Sequence, residues 1–202
     1  MTDLERVKQN GRALVFVKNQ TPEICLAAVE ENGHALEFVK KQTPEIILAA
    51  VKQNGCALKY VNIKDQTPEI ISAAVENYCY ALEYTDKQTP ELCLAAVEKD
   101  GWALKEVKDQ TPEIVLAAVK EKGNVLQIIE DQTPEICLAA VKESGRSLEY
   151  VKNQTPEIVL AAVKQTRLAL LHVRPELKFL FSKEYEGLSL EEIKTKVPEL
   201  FL

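Results

Sequence analysis

The sequence predicts an all-α protein, an α-solenoid of short helical hairpins with a period of about 22 residues. Three observations predict it. Thr-Pro pairs recur at Thr21, Thr43, Thr67, Thr89, Thr111, Thr133 and Thr155, spaced 22, 24, 22, 22, 22 and 22 residues apart, as when one unit is copied end to end. Each pair is followed by Glu, so every repeat opens with Thr at an N-cap, Pro in the first helical position and an acid behind it. The run that follows, Ile24-Cys25-Leu26-Ala27-Ala28-Val29 in the first full repeat, is apolar on every side of a helix and must be covered by neighbours on several faces.

Taken in order, residues 1–20 are a partial repeat, because Leu4 to Gln20 matches the later part of the unit without a Thr-Pro pair. Full repeats then start at 21, 43, 67, 89, 111, 133 and 155, and the tandem array extends to residue 174. In the first of them, TPEICLAAVEENGHALEFVKKQ, a helix starts at Thr21. Glu23 lies in its first turn, where the helix dipole favours a carboxylate, and Glu45, Glu69, Glu91, Glu113, Glu135 and Glu157 repeat that role. Gly33, aligned with Gly11, Gly55, Gly101, Gly123 and Gly145, follows after about three turns and suits the left-handed residue that ends a helix. His34 to Val39 spaces its apolar residues helically, which predicts a second, shorter helix.

Gln20, Gln42, Gln66, Gln88, Gln110, Gln132 and Gln154 stand just before each capping Thr, and a ladder of amides bonded to inter-helix loops is expected there. Ordering a hairpin costs roughly 1.5 kcal/mol per residue, more than one isolated hairpin recovers by burial, so stacking must supply the stability. Residues 175–202 drift from the pattern. With Arg167 already in place of Gly, then Pro175, Phe179, Phe181 and a capping box from Ser189 to Glu192, they read as diverged capping helices over the last hairpin. The apolar Phe201-Leu202 end is alternatively a self-association surface.

The chain carries 25 Lys and Arg against 31 Asp and Glu, a net charge of −6, with a pI of about 5.2. That balance gives no general attraction for phosphate backbones or anionic membranes. No run approaches the roughly 18 apolar residues of a membrane span, and no basic start precedes an apolar stretch, so a cytoplasmic protein is expected. Five cysteines without a Cys-x-x-Cys pair argue against a disulfide framework or zinc site and for a reducing compartment. Cys25, Cys93 and Cys137 share a repeat column with Ile47, Ile71, Val115 and Val159, where Cys acts as a small buried hydrophobe.

The recurring pattern TPEIxLAAVxxxGxALxxVxxQ, from Leu4 to about Val173, resembles an uncharacterised tandem helical-repeat family, the domain of unknown function 4116 type. The resemblance implies a helical repeat protein with no assigned reaction and no catalytic residues to carry over. It also implies a second possible location, a host cytosol reached by a non-classical secretion route. TPEIVLAAVKEKGNVLQII, from Thr111, is similar to the DNA-reading repeats of transcription-activator-like effectors, which implies recognition by one variable residue per repeat. This repeat is much shorter and lacks the basic residues that those proteins set against phosphate.

Comparison among the repeats locates the candidate surface. The position after Gly is the most varied, reading Arg12, His34, Cys56, Tyr80, Trp102, Asn124, Arg146 and Leu168; four residues on stand Phe16, Phe38, Tyr60, Tyr84, Glu106, Ile128, Tyr150 and His172. If i and i+4 share a helix face, these columns form one stripe on the flank of the second helices. The repeat from Thr67 is irregular, with an insertion at Asn62 to Asp65 and Tyr78-Cys79-Tyr80 in place of x-Gly-x, so its inter-helix turn is expected to differ. Phe16, His34, Phe38, Tyr60, Tyr78, Tyr80, Tyr84, Trp102, Arg146 and Tyr150 are the candidate binding residues, being mainly the aromatic and Arg types that carry interface energy. No paired acid and base, nucleophile with its base, metal spacing or phosphate loop appears, so a non-enzyme without cofactor or metal is expected. The expected function is a scaffold binding a neutral or basic protein along the second helices. The alternatives are modular nucleic-acid recognition, which the charge disfavours, and a self-associating array.

Overall fold

The computed structural model describes residues 1–182, 187, 189–196 and 198, and every regular element among them is a helix. The α-helices are α1 (Asp3–Gln9), α2 (Pro22–Glu31), α3 (Pro44–Gln53), α4 (Pro68–Asn77), α5 (Pro90–Lys99), α6 (Pro112–Glu121), α7 (Pro134–Glu143), α8 (Pro156–Gln165) and α9 (Leu190–Lys196). A six-residue 3-10 helix follows each of the first eight: Gly11–Phe16, Gly33–Phe38, Gly55–Tyr60, Cys79–Tyr84, Gly101–Glu106, Gly123–Ile128, Gly145–Tyr150 and Arg167–His172. This is the expected all-α solenoid of helical hairpins.

The helix starts form as the sequence dictates. Thr21 Oγ1 accepts the N–H of Ile24 at 3.3 Å, and Thr43, Thr67, Thr89, Thr111, Thr133 and Thr155 cap their helices the same way. The partial first repeat is also a hairpin, because Thr2 and Glu5 form a reciprocal capping box that opens α1 without a proline.

The helix ends correct the sequence reading. α2 stops at Asn32 in an extended conformation, φ −148° and ψ 107°, and Gly33 is the first residue of the next helix. Among the described residues only Gly187 has a positive φ. Gly33 is small because a Cβ there would lie 2.5 Å from the Ala50 carbonyl oxygen of α3, a backbone atom that cannot turn aside. The glycine column is therefore a contact between successive repeats. The irregular repeat keeps the same turn, Tyr78 having φ −143° and ψ 105°, since no left-handed residue was needed there.

The second helices are 3-10 because their sequence repeats by threes. Gly33, Leu36 and Val39 form a buried edge, Ala35 and Phe38 a second edge, and His34 and Glu37 a third that faces solvent. The i to i+3 bonds Asn32 O to Ala35 N–H, at 2.8 Å, and Leu36 O to Val39 N–H, at 3.2 Å, hold that geometry.

The glutamine ladder is present. Gln20 donates Nε2 to the Phe38 carbonyl at 2.9 Å and accepts the Lys40 N–H at 3.0 Å, clamping the loop of the following repeat. Gln132 does the same to Tyr150 and Lys152, and Gln154 to His172 and Arg174. At Gln42 and Gln66 the donor half persists, to Tyr60 and Tyr84, while both Oε1 atoms are buried without a partner. These two flank the inserted turn Ile63–Asp65, which displaces the backbone N–H that Gln42 would accept.

The chain packs as two compact bodies, residues 1–99 with 106–109, and residues 100–105 with 110–202. In the first, α1 to α5 pack each on the next, and the 3-10 helices from Gly11–Phe16 to Cys79–Tyr84 form a second row. In the second, α6 to α8 form one row and their 3-10 helices the other, with 3-10 helix Pro175–Phe181 against α8. Between the rows lies the core: Leu14, Leu36, Leu58 and Leu82 in the first body, and Leu104, Leu126 and Leu148 in the second, all fully buried and each stabilising by about 1.5–3 kcal/mol. Ser189 and Glu192 exchange capping bonds at α9, as expected. The expected Phe201-Leu202 surface lies outside the described residues.

Candidate functional site

All ten candidate residues lie on or immediately before the second helices, and none belongs to the fully buried core. Phe16 is 76% exposed, Tyr78 is 39% exposed and Arg146 is exposed; His34, Phe38, Tyr60, Tyr80, Tyr84, Trp102 and Tyr150 are half-buried. The stripe thus lies on the flank, but its columns are arranged differently from the expectation. In a 3-10 helix residues three apart eclipse, so the variable position pairs with the residue three on, not four. The outward row therefore joins His34 with Glu37, Cys56 with Lys59, Tyr80 with Glu83, Trp102 with Lys105 and Arg146 with Glu149. Sequence reasoning missed that second, charged column, although a three-residue period in Gly-x-Ala-Leu-x-aromatic could have shown it.

At Tyr60 the aromatic column meets the variable column of the preceding repeat. His34 packs edge-on against Tyr60, ring centroids 6.0 Å apart, while His34 Nε2 and Asn54 Nδ2 lie 3.2 Å apart. Lys59 Nζ sits 4.8 Å from the Tyr60 ring centre. Tyr78 and Tyr80 tilt against each other at 5.4 Å, and Lys105 Nζ lies 4.6 Å from the centre of the Trp102 ring. These contacts leave part of each ring accessible.

Electrostatics around Tyr78 and Tyr84 favour the neutral phenols. Desolvation pushes both up, with Cys56 adding at Tyr78 and Glu83 adding at Tyr84. Burial likewise pushes up the thiols of Cys25, Cys93, Cys137 and Cys56, and a thiol held neutral is a weak nucleophile. None of the five cysteines is joined in a disulfide, Cys56 and Cys79 included.

The cavities lie elsewhere. A groove of about 1060 Å³ runs at the N-terminal ends of α6 and α7, a smaller one of about 490 Å³ occupies the corresponding place at α2 and α3, and a third lies along α6 and α7. None of the ten candidate residues lines any of them. No helix among the described residues is long and apolar enough to cross a membrane.

Stacked hairpins, an inter-repeat amide ladder and a half-exposed row of varied side chains define a tandem helical-repeat protein. The family model described as domain of unknown function (DUF4116) matches residues 21–66, 43–88, 67–110 and 133–178. The chain belongs to that family. Neither comparison with curated proteins nor comparison with solved structures gives a match.

Proposed function

We propose that this chain is a non-catalytic scaffold that holds a protein or peptide partner along the surface formed by its second helices. One observation carries the reading: the helix edges that build the core repeat the same residue types, whereas the half-exposed edge varies from repeat to repeat and carries His34, Tyr80, Trp102 and Arg146. His34, Tyr80 and Trp102 are already held by neighbours and lose little freedom on binding, so they supply interface energy efficiently. The net charge of −6 favours a neutral or basic partner, and the outward row itself sets Glu37, Glu83 and Glu149 against Lys59, Lys105 and Arg146. Five cysteines, an odd number with no Cys-x-x-Cys pair, fit a reducing compartment such as the cytoplasm.

Affinity capture from lysate, followed by titration of the purified captured protein, tests this. The Tyr80→Ala, Trp102→Ala variant should bind at least about tenfold more weakly while keeping its helical circular dichroism, a loss of about 1.4 kcal/mol. Equal binding by parent and variant sinks the proposal. Capture of a nucleic acid whose binding falls steeply with salt would support the modular-recognition alternative instead.

A further inference from the structure

We infer that the groove at the N-terminal ends of α6 and α7 is a docking site for a cationic peptide segment bearing bulky apolar side chains, a site distinct from the outward row of the second helices, of which helix Gly123–Ile128 lends it only Ile128. Its floor is apolar, formed by Val115, Leu116, Ile128 and Ile136. Its rim carries four carboxylates, Glu113, Glu130, Asp131 and Glu135, and its lining includes no Lys, Arg or His. At about 1060 Å³ it has room for several side chains.

The repeat array supplies its own comparison. With Thr111 set on Thr21, the groove aligns with the cavity of about 490 Å³ in the first body. Lys40 and Lys41 line that smaller cavity where Glu130 and Asp131 line the larger one, and Phe38 holds the position of Ile128. The differences between the groove and its counterpart include a shorter side chain at the floor and a reversal of charge at the rim, beside Val115 for Cys25. Along the array the pair before each closing Gln reads Lys18-Asn19, Lys40-Lys41, Lys64-Asp65, Asp86-Lys87, Lys108-Asp109, Glu130-Asp131 and Lys152-Asn153, so two adjacent acids occur at this groove alone.

Glu113 and Glu135 lie in first helical turns, where the dipole offsets part of their charge, while Glu130 and Asp131 lie in the loop before Thr133. Lys152 Nζ donates to the Glu130 carbonyl at 2.8 Å, and Lys120 and Lys142 line the adjoining groove that shares Leu116 and Glu135, but none of the three is part of this lining. An anionic ligand would meet like charge on the rim. A basic segment would be drawn and oriented by it, with its apolar side chains removed from water on the floor.

The test is fluorescence anisotropy on the full chain, with a labelled short peptide alternating leucine and lysine and a second peptide carrying glutamate for lysine. The lysine peptide should bind at least about tenfold more tightly than the glutamate peptide, and more weakly as salt rises. Glu130→Lys with Asp131→Lys should weaken it about tenfold, and Ile128→Phe should weaken it without changing charge. Glu30→Lys with Glu98→Lys changes the net charge equally at exposed positions that do not line the groove and should leave binding intact. Failure of the lysine peptide to bind, equal binding of the two peptides, equal binding by the Glu130 and Asp131 variant, or equal loss in the Glu30 and Glu98 control overturns the inference. The Tyr80→Ala, Trp102→Ala variant should retain the peptide. Loss of the peptide in that variant instead overturns the groove and leaves the second-helix reading standing.

Discussion

The Gly33 N–H donates to Gln53 Oε1 at 2.6 Å, from one repeat to the end of the first helix in the next. The same bond joins Gly55 to Asn77, Gly101 to Glu121, Gly123 to Glu143 and Gly145 to Gln165, so each repeat presents an acceptor to the glycine before it. Where Cys79 replaces glycine, the matching position is Lys99, which has no acceptor and donates instead to the Glu76 carbonyl.

Gly33→Ala should therefore destabilise the array by about 1–3 kcal/mol, since its Cβ meets backbone rather than a side chain that could move. Gln53→Leu should cost a similar amount by leaving the Gly33 N–H buried and unpaired. Urea unfolding measures both. A Gly33→Ala protein as stable as its parent would refute close approach as the reason for the glycine.

The glutamine ladder should be uneven. Gln88 donates to Glu106 and Leu82 carbonyls and accepts the Lys108 N–H, whereas Gln42 has a buried Oε1 with no partner. Gln88→Leu should cost about 1 kcal/mol more than Gln42→Leu, the worth of one further hydrogen bond. Paired unfolding curves decide it, and a costlier Gln42 variant contradicts the ladder geometry.

Stability should fall at alkaline pH through Cys25, Cys93 and Cys137. Burial raises all three thiols above the ordinary value of 9.0 in the folded chain, with Asp109 adding at Cys93. The unfolded thiols ionise first, so the stabilisation is fully present below 9.0 and is lost as pH rises through the folded values. A variant with all three changed to Val, the residue that Val115 and Val159 place in this column, should lose less stability over that range. Identical pH profiles for the two proteins would argue that the thiols ionise as freely folded as unfolded.

Trp102 is the chain's one tryptophan and reports on the second-helix surface directly. Lys105→Ala removes the cation over its ring, so the emission should shift while stability changes by about 0.5–1 kcal/mol or less. Unchanged emission would show that the ammonium does not stay over the ring in solution.

The capping threonines, the prolines behind them and the closing glutamines were legible because each acts within a few residues or repeats identically at every turn of the array. Gly33 was misread because a glycine after a helix serves either a positive φ or a close approach, and only the position of Ala50 distinguishes the two. The face of His34 was misread for a related reason. Over six residues, apolar positions fit a period of 3.0 nearly as well as 3.6, and the choice decides whether Glu37 or Phe38 stands beside it.

By itself the sequence determined the hairpin, its period and its caps, since these follow from local hydrogen bonding and from the burial that a 22-residue unit cannot achieve alone. Only the tertiary structure decided the 3-10 form of the second helices, the pairing of Gly33 with Gln53, and the groove where Ile128 stands in the place of Phe38. Those features depend on how closely one repeat approaches the next, a distance set by packing between residues about twenty positions apart.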